Sequence, residues 1–186
     1  MKANEFLKNH GLRVEDVDSD KVLGFFSSEM KKGLEGKASS LAMIPTYSEA
    51  GHKIPEGESV IVLDAGGTNF RTCLVTFNNG VAEISDFQKM GMPGAKEEVS
   101  AKEFFSILAD SIERFMGKSK KIGFCFSYAA EITPDHDGIP LMFSKEIKAP
   151  EVIGKRLGKE LLSELSSRGY DTTGMSVSIV NDTVAT

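Results

Sequence analysis

Residues 64–71 place a carboxylate, two glycines, a hydroxyl, an amide and a guanidinium within eight positions. They read Asp-Ala-Gly-Gly-Thr-Asn-Phe-Arg and directly follow the apolar run Ile61-Val-Leu63. Glycine allows close approach of the backbone to a ligand, so successive N–H groups can point at phosphate oxygens. An aspartate at the edge of such a loop can hold hydrated Mg²⁺, which prefers carboxylate oxygen. The stretch predicts a phosphate site, although Gly-Gly between two apolar runs is also an ordinary hairpin turn.

Two further polar positions follow apolar runs that are typical of buried strands. Ser127 lies near the end of one run, and Asn181-Asp182 follows another. Ligands gather at the carboxyl edge of strands in open α/β sheets, so neighbouring strands would bring Asp64 and Asp182 to one site. Asp182 could equally cap a helix that starts at Thr183, and the two roles are compatible.

The elements that would position these side chains follow from apolar periodicity and turn signals. The first three strands form a meander, with an Asn79-Gly80 hairpin turn of the preferred type. A capping box at Ser100–Glu103 opens a helix, and Pro150 is expected to open another that ends at Gly169. The five strands are predicted at 60–64, 71–77, 82–89, 121–128 and 176–180. The predicted order, β-β-β-α-β-α-β, gives a mixed five-stranded sheet with helices on its faces.

Helical signals also mark the first fifty residues. A short helix is expected at Asn4–His10, and a longer one is capped by Asp18 or Ser19. The apolar stripe of that longer helix comprises Val22, Leu23, Phe26, Met30 and Leu34. A proline-containing connector then leads to the first strand. Residues 1–57 are therefore predicted as an N-terminal extension and residues 58–186 as the main domain.

Composition narrows the functional classes. The 186-residue chain has a net charge of -5 and a pI near 5.3, which argues against sequence-independent nucleic-acid binding. No apolar run approaches membrane-spanning length. Cys73 and Cys125 lie in apolar runs and are interpreted as reduced core residues of a cytoplasmic protein. The segment Asp135-His-Asp-Gly138 lacks the rest of a calcium loop and is interpreted as a turn.

Five segments in order resemble the eukaryotic-type hexokinases. They are Met43-Ile-Pro-Thr-Tyr47, Leu63–Arg71, Gly123-Phe-Cys-Phe-Ser-Tyr128, Ser144-Lys145 and Ile179-Val-Asn-Asp-Thr-Val184. The resemblance implies the actin-like, ribonuclease H-like fold and ATP-dependent phosphorylation of a hexose such as glucose at its 6-hydroxyl. ATP and Mg²⁺ are the implied cofactors.

The resemblance also implies roles for individual residues. Asp64 would hold Mg²⁺ through water, and Asp182 would be the catalytic base. The implied phosphate-binding residues are Gly66, Gly67, Thr68, Asn69 and Arg71. Those implied for the sugar are Ser127, Ser144, Lys145, Asn181 and Asp182. A carboxylate can accept the proton of a sugar hydroxyl as it attacks the γ-phosphoryl group.

The chain departs from the family pattern at two places. Phe143-Ser-Lys-Glu-Ile147 replaces Trp-Thr-Lys-Gly-Phe, and Tyr128-Ala-Ala-Glu131 stands where Pro and Gln are expected. Glu146 adds a charge where the family has glycine. A non-catalytic sugar sensor of hexokinase ancestry and a ribonuclease H-type nuclease are the alternatives.

Members of this family are more than twice as long and have two lobes. The resemblance therefore implies that this chain is the small lobe with its preceding helices, ending just after the catalytic Asp. We expect it to be inactive or nearly so without the large lobe, because closure of two lobes completes the site. The helices would lack their normal partner, so self-association of the chain is a further expectation.

Overall fold

A computed structural model describes residues 3–48, 56–143 and 147–185. The chain divides into two compact units, residues 1–45 and residues 46–186. The predicted residues Ser144 and Lys145 lie outside the described residues. No helix in the described ranges is long and apolar enough to cross a membrane.

The N-terminal unit is helical, as the sequence predicts. Helix α1 covers Ala3–Asn9, a 3-10 turn covers Val14–Asp16, and α2 covers Ser19–Leu34. Asp18 caps α2 by accepting a hydrogen bond from the Lys21 amide at 3.1 Å. Most of the apolar stripe of α2 is exposed to solvent: Val22, Leu23, Phe26 and Leu34 are exposed, and Met30 is partly buried.

The one buried residue of α2 is a glutamate. The Glu29 carboxylate accepts hydrogen bonds from the Ser40 amide at 2.8 Å, the Ser39 hydroxyl at 3.0 Å and the Lys32 ammonium at 2.6 Å. These donors, with Lys32 the strongest, lower the pKa of Glu29 from its usual 4.5 to about 2. Residues 39–41 therefore close onto α2 through hydrogen bonds to a charge.

The second unit is built on a mixed five-stranded sheet, which confirms the predicted fold. Its strands are β1 Ser59–Ala65, β2 Asn69–Asn78, β3 Val81–Gly91, β4 Lys121–Phe126 and β7 Ser176–Val180. Their spatial order is β3-β2-β1-β4-β7, with β1 antiparallel to β2 and parallel to β4. The Asn79-Gly80 turn has positive φ at both residues, 53° and 74°, as a type I′ hairpin requires. A small hairpin of β5 Ala130–Ile132 and β6 Gly138–Pro140, not predicted from sequence, follows β4.

Two helices pack on one face of this sheet. Helix α3 covers Ala101–Ile112, with the predicted Ser100–Glu103 capping box in place, and α4 covers Leu157–Ser167. Their apolar residues form one core with the alternate strand residues Ile61, Leu63, Ile122 and Phe124. The other face of β1, which carries Val60, Val62 and Asp64, is only partly covered. A short helix α5, Asp182–Ala185, follows β7.

The predicted helix from Pro150 is wrong over its first half. Pro150–Val152 is a 3-10 turn, Gly154 has φ of 79°, and Ile153 is exposed rather than part of the core stripe. The cap of α4 comes from elsewhere: Asp137 accepts hydrogen bonds from the amides of Gly158 at 2.7 Å and Lys159 at 3.2 Å. A carboxylate at a helix N-terminus satisfies amides that lack helical partners, so α4 begins where Asp137 reaches it.

Candidate functional site

The predicted site residues that follow β1, β4 and β7 come together at one edge of the main sheet. Strands β1, β4 and β7 are neighbours and run parallel, so their carboxyl ends meet there. Asp64 lies at the end of β1, Ser127 directly after β4, and Asn181-Asp182 directly after β7. Asp182 lies two residues beyond Val180. Neighbouring strands are about 5 Å apart, so the backbones of Asp64 and Val180, which is level with it two strands away, are separated by roughly 10 Å. That gap is wide enough for a reacting group to lie between two carboxylates.

Cys125 of β4 lies between these two carboxylates. It pairs with Asp64 of β1 on one side and Val180 of β7 on the other. Burial, together with the negative charges of Asp64 and then Asp182, raises the pKa of the Cys125 thiol to about 11. Both acids therefore lie near the strand that carries this thiol. The thiol is partly exposed, so its interpretation as a core residue was wrong; Cys73 is buried, and both cysteines are free.

Asp64 is held by the arginine directly opposite it in the β1–β2 ladder. Asp64 and Arg71 are register partners, and their side chains form an ion pair of 2.5 Å. Both side chains are about one-third exposed, so the pair contributes little stability. Its consequence is geometric: one carboxylate oxygen is occupied by Arg71, and the orientation of Asp64 at the sheet edge is fixed.

The Gly-rich loop between β1 and β2 is a tight turn closed by its own backbone. The Gly66 amide donates to the Asn69 carbonyl at 3.0 Å. A Cβ at Gly66 would lie 3.2 Å from that same oxygen, closer than side chains normally pack. Gly66 is not in the left-handed region, so glycine is required there for close approach rather than for an unusual backbone angle.

Protein donors hold three successive carbonyl groups of this loop. The Tyr128 hydroxyl donates to the Gly66 oxygen at 2.7 Å and contacts the Gly67 oxygen at 3.3 Å. The Met92 amide donates to the Thr68 oxygen at 3.0 Å. Tyr128 is 2% exposed, and its burial raises its pKa to about 12. This tyrosine lies in a family-like segment and at the start of a departure from the family pattern, but no role was predicted for it from sequence; the signal it carried was its alternation with the core residues Phe124 and Phe126.

Asn181 and Asp182 begin a short helix whose cap is the asparagine. The Asn181 side-chain oxygen accepts from the Thr183 amide at 3.1 Å, and its carbonyl accepts from the amides of Val184 and Ala185 at 3.0 Å. Its amide nitrogen donates to the Phe126 carbonyl of β4 at 3.3 Å. Asp182 is therefore the first residue of the helix and is partly exposed at the sheet edge.

Ser127, a predicted sugar-binding residue, lies at this edge as well. Ser127 is partly buried, and its amide donates to the Ala65 carbonyl at 3.1 Å, which continues the β1–β4 ladder by one residue. Phe143 and Ile147, which flank the undescribed Ser144 and Lys145, are both anchored in the core. The Phe143 ring packs against Tyr128 at a centroid distance of 5.1 Å. Phe143 thus packs against the residue that contacts the Gly-rich loop.

The Asp135–Gly138 segment is a hairpin turn, as the sequence indicates. His136 has φ of 63°, and Arg156 forms ion pairs with both Asp135 and Asp137. Across the part of the chain that the structure describes, no three His, Cys, Asp or Glu side chains are grouped to hold a metal ion. Mg²⁺ requires no such group when it keeps its waters, because one or two carboxylates can then be enough.

The chain is similar in sequence to hexokinases along its length. The family model described as Hexokinase matches residues 3–186. The human protein Hexokinase-3 is 36% identical over 163 residues, which is 84% of this chain and 17% of that protein. Hexokinase-1 of Saccharomyces cerevisiae is 30% identical over 182 residues, covering 91% of this chain and 37% of that protein.

A solved hexokinase structure is also similar to this chain in its fold. A hexokinase from Schistosoma mansoni, solved in complex with glucose, has a TM-score of 0.65 and 28% identity. The match covers 84% of this chain and 37% of that one. The chain therefore spans less than half the length of the relatives it matches here.

Proposed function

Because this chain belongs to the hexokinase family, we propose that it supplies the sugar-binding and first phosphate-binding half of an ATP-dependent hexose kinase. One observation carries the proposal. Asp64, Ser127 and Asp182 lie at the carboxyl ends of three neighbouring parallel strands, with Cys125 on the strand between the two acids. A site with one acid beside a phosphate loop and a second acid across a gap is suited to phosphoryl transfer.

Asp182 is proposed as the general base. A sugar hydroxyl is a poor nucleophile, and a carboxylate that accepts its proton assists attack on phosphorus. The hydroxyl oxygen forms the new bond to the γ-phosphorus, the bond from phosphorus to the ADP oxygen breaks, and the proton passes to Asp182. No covalent enzyme intermediate is required. Partial exposure at the start of α5 leaves the carboxylate accessible to a sugar.

The loop between β1 and β2 is proposed to bind the phosphates. Its carbonyl groups are bonded to Tyr128 and Met92, which leaves the amides on the opposite side of the peptides. Asp64, with Arg71 fixing its orientation, would hold Mg²⁺ through water at the loop edge. The ion would neutralise charge on the phosphoryl oxygens when bound.

The sugar is proposed to be a hexose such as glucose, bound by Ser127, Asn181 and Asp182 with help from Ser144 and Lys145. The S. mansoni relative was solved with glucose bound. Polar groups at several strand ends can fix a sugar ring in one pose, and orientation alone accounts for a large part of many enzymatic rates. The sensor alternative predicts sugar binding without the phosphate loop or base, and this chain keeps the residues proposed for both, Asp64–Arg71 and Asp182.

Binding by the 186-residue chain itself tests the sugar site. Titration of the ¹⁵N-labelled chain with glucose should shift the amide signals of Ser127, Asn181 and Asp182 in a saturable way. Asn181→Ala should weaken this binding at least tenfold, because an amide that positions the ring is lost. Asp171→Asn, at an exposed turn residue, is the matched control and should bind like the wild type. Absence of saturable shifts in the wild type would contradict the sugar assignment.

A coupled assay of glucose phosphorylation tests catalysis. We propose that the 186-residue chain alone turns over at background, since lobe closure completes such sites. In a chimera, this 186-residue chain replaces the corresponding N-terminal segment of S. cerevisiae Hexokinase-1. The chimera should phosphorylate glucose with ATP. In that chimera Asp182→Asn should lower kcat by about 10²- to 10⁴-fold, and Asp171→Asn should leave it unchanged. Full activity of the Asp182→Asn chimera would exclude Asp182 as the base.

A further inference from the structure

Tyr128 occupies a position that connects the phosphate loop to the aromatic core. Its hydroxyl donates to the Gly66 carbonyl at 2.7 Å and lies 3.3 Å from the Gly67 carbonyl. Its ring packs against Phe126 and Phe143 at centroid distances of 5.1 Å. The side chain is 2% exposed. A hydroxyl carried by a ring fixed on two sides is a donor at a defined point beneath the loop.

The direction of these bonds determines what the loop presents to solvent. A trans peptide is planar, and its C=O and N–H groups point in opposite directions. With the Gly66 and Gly67 oxygens turned toward the buried hydroxyl, the following N–H groups, those of Gly67 and Thr68, point toward the exposed side. Thr68 itself is exposed. Two successive amides on one exposed side form the kind of concavity that binds anions.

Two adjacent glycines make it easy for the peptide between them to change its orientation. The peptide between Gly66 and Gly67 joins two residues without Cβ atoms, and rotation about it meets few steric barriers. A flip of that peptide would replace an outward N–H group by an outward carbonyl oxygen. A carbonyl dipole facing a phosphate oxygen repels it, so the flipped loop would bind phosphate less well. The loop sequence alone therefore does not fix the orientation that phosphate binding needs.

We propose that Tyr128 is a positioning residue that holds the Gly66–Gly67 and Gly67–Thr68 peptides with their amides facing the phosphate. The inference rests on the proposed function for the identity of the ligand, but the orientation of the peptides is a property of the free chain. Tyr128 touches no reacting atom and acts through the loop.

The test compares Tyr128→Phe with the wild type and with Tyr170→Phe, which removes a hydroxyl from a tyrosine outside the site. Phenylalanine keeps the ring packing and removes only the donor. The carbonyl ¹³C signals of Gly66 and Gly67 should shift in Tyr128→Phe and stay in place in Tyr170→Phe. Incorporation of 3-fluorotyrosine, whose hydroxyl is a stronger donor, should move the same signals in the opposite direction and gives a second measurement on an unmutated sequence.

Titration with inorganic tripolyphosphate and Mg²⁺ measures the consequence for binding. The Gly67 and Thr68 amide signals of the wild type should shift on saturation. Tyr128→Phe should raise the dissociation constant about two- to tenfold, the range expected for one neutral hydrogen bond. Glucose affinity should not change, whereas a general loss of structure would weaken both ligands. Tyr170→Phe should bind both ligands like the wild type.

The outcomes separate this inference from the proposed function. Unchanged Gly66 and Gly67 carbonyl signals in Tyr128→Phe would overturn the inference, whatever the ligand results. Shifted signals with unchanged tripolyphosphate affinity would also overturn it, because positioning would then have no effect. If the wild type binds glucose but not tripolyphosphate, the phosphate role fails for both proposals. If the signals shift and the affinity falls, the positioning role is supported.

Discussion

Helices α2 and α3 both carry an apolar stripe at helical spacing, and they bury very different parts of it. In α3, Phe104, Leu108 and Ile112 are fully buried against the sheet. In α2, Phe26 is 51% exposed and Leu34 is 71% exposed. The stripe determines that each segment is helical, but burial requires a second layer, and only α3 has one within its own unit.

What covers α2 instead is a short segment of irregular chain. Gly33 lets the backbone of Leu41 approach so closely that a Cβ at Gly33 would lie 2.0 Å from the Leu41 oxygen. Around it, Ser39 and Ser40 donate to Glu29. The N-terminal unit is thus held by hydrogen bonds to a carboxylate, whereas the second unit is held by apolar packing. Because different interactions hold the two units together, we expect their stabilities to respond differently to mutation and to pH.

The largest expected difference comes from truncating one phenylalanine in each helix. Phe104→Ala removes a fully buried ring from α3 and should lower the free energy of unfolding of the second unit by about 3–5 kcal/mol. Phe26→Ala removes a half-exposed ring from α2 and should change stability by no more than about 0.5 kcal/mol. Urea denaturation followed by circular dichroism measures both. Equal losses would mean that the α2 stripe is packed in solution.

Local signals predicted much of this architecture. The Asn79-Gly80 turn and the Ser100–Glu103 capping box each lie within a few consecutive residues, and both were confirmed. The exposure of Cys125 and the contact of Tyr128 with Gly66 depend on which strands are neighbours. The start of α4 depends on Asp137, which lies twenty residues earlier in the chain. Periodicity carries no information about such long-range partners.

A second, smaller difference is expected between the caps of α4 and α2. The Asp137 carboxylate is buried and accepts from three backbone amides, those of Gly138, Gly158 and Lys159. Asp137→Ala would leave these amides without acceptors and should cost about 1–3 kcal/mol. Asp18→Ala removes one bond to the Lys21 amide at an exposed helix end and should cost about 0.5–1 kcal/mol.

The same denaturation experiment ranks the two caps. Asp135→Ala, which removes an exposed carboxylate of the same turn, is the control for Asp137→Ala, since both lose an ion pair with Arg156. If Asp135→Ala costs as much as Asp137→Ala, the loss arises from the arginine and not from the helix cap. A smaller loss in Asp135→Ala supports the cap.

The subtlest difference is expected in acid, where the N-terminal unit should respond and the packing of α3 should not. The pKa of Glu29 is about 2 in the folded chain and 4.5 for an ordinary glutamate. A folded-state pKa below the unfolded value means that the ionised carboxylate stabilises the fold above about pH 4.5, and that this contribution is lost as the pH falls toward 2. The amide signal of Ser40, which donates to Glu29, should therefore lose hydrogen-exchange protection over that window, while those of α3 keep theirs. Glu29→Gln should be less protected at pH 6 and nearly insensitive to pH, and the exposed Glu5→Gln should behave like the wild type. Equal acid sensitivity of Glu29→Gln and the wild type would show that a different group holds residues 39–41 onto α2.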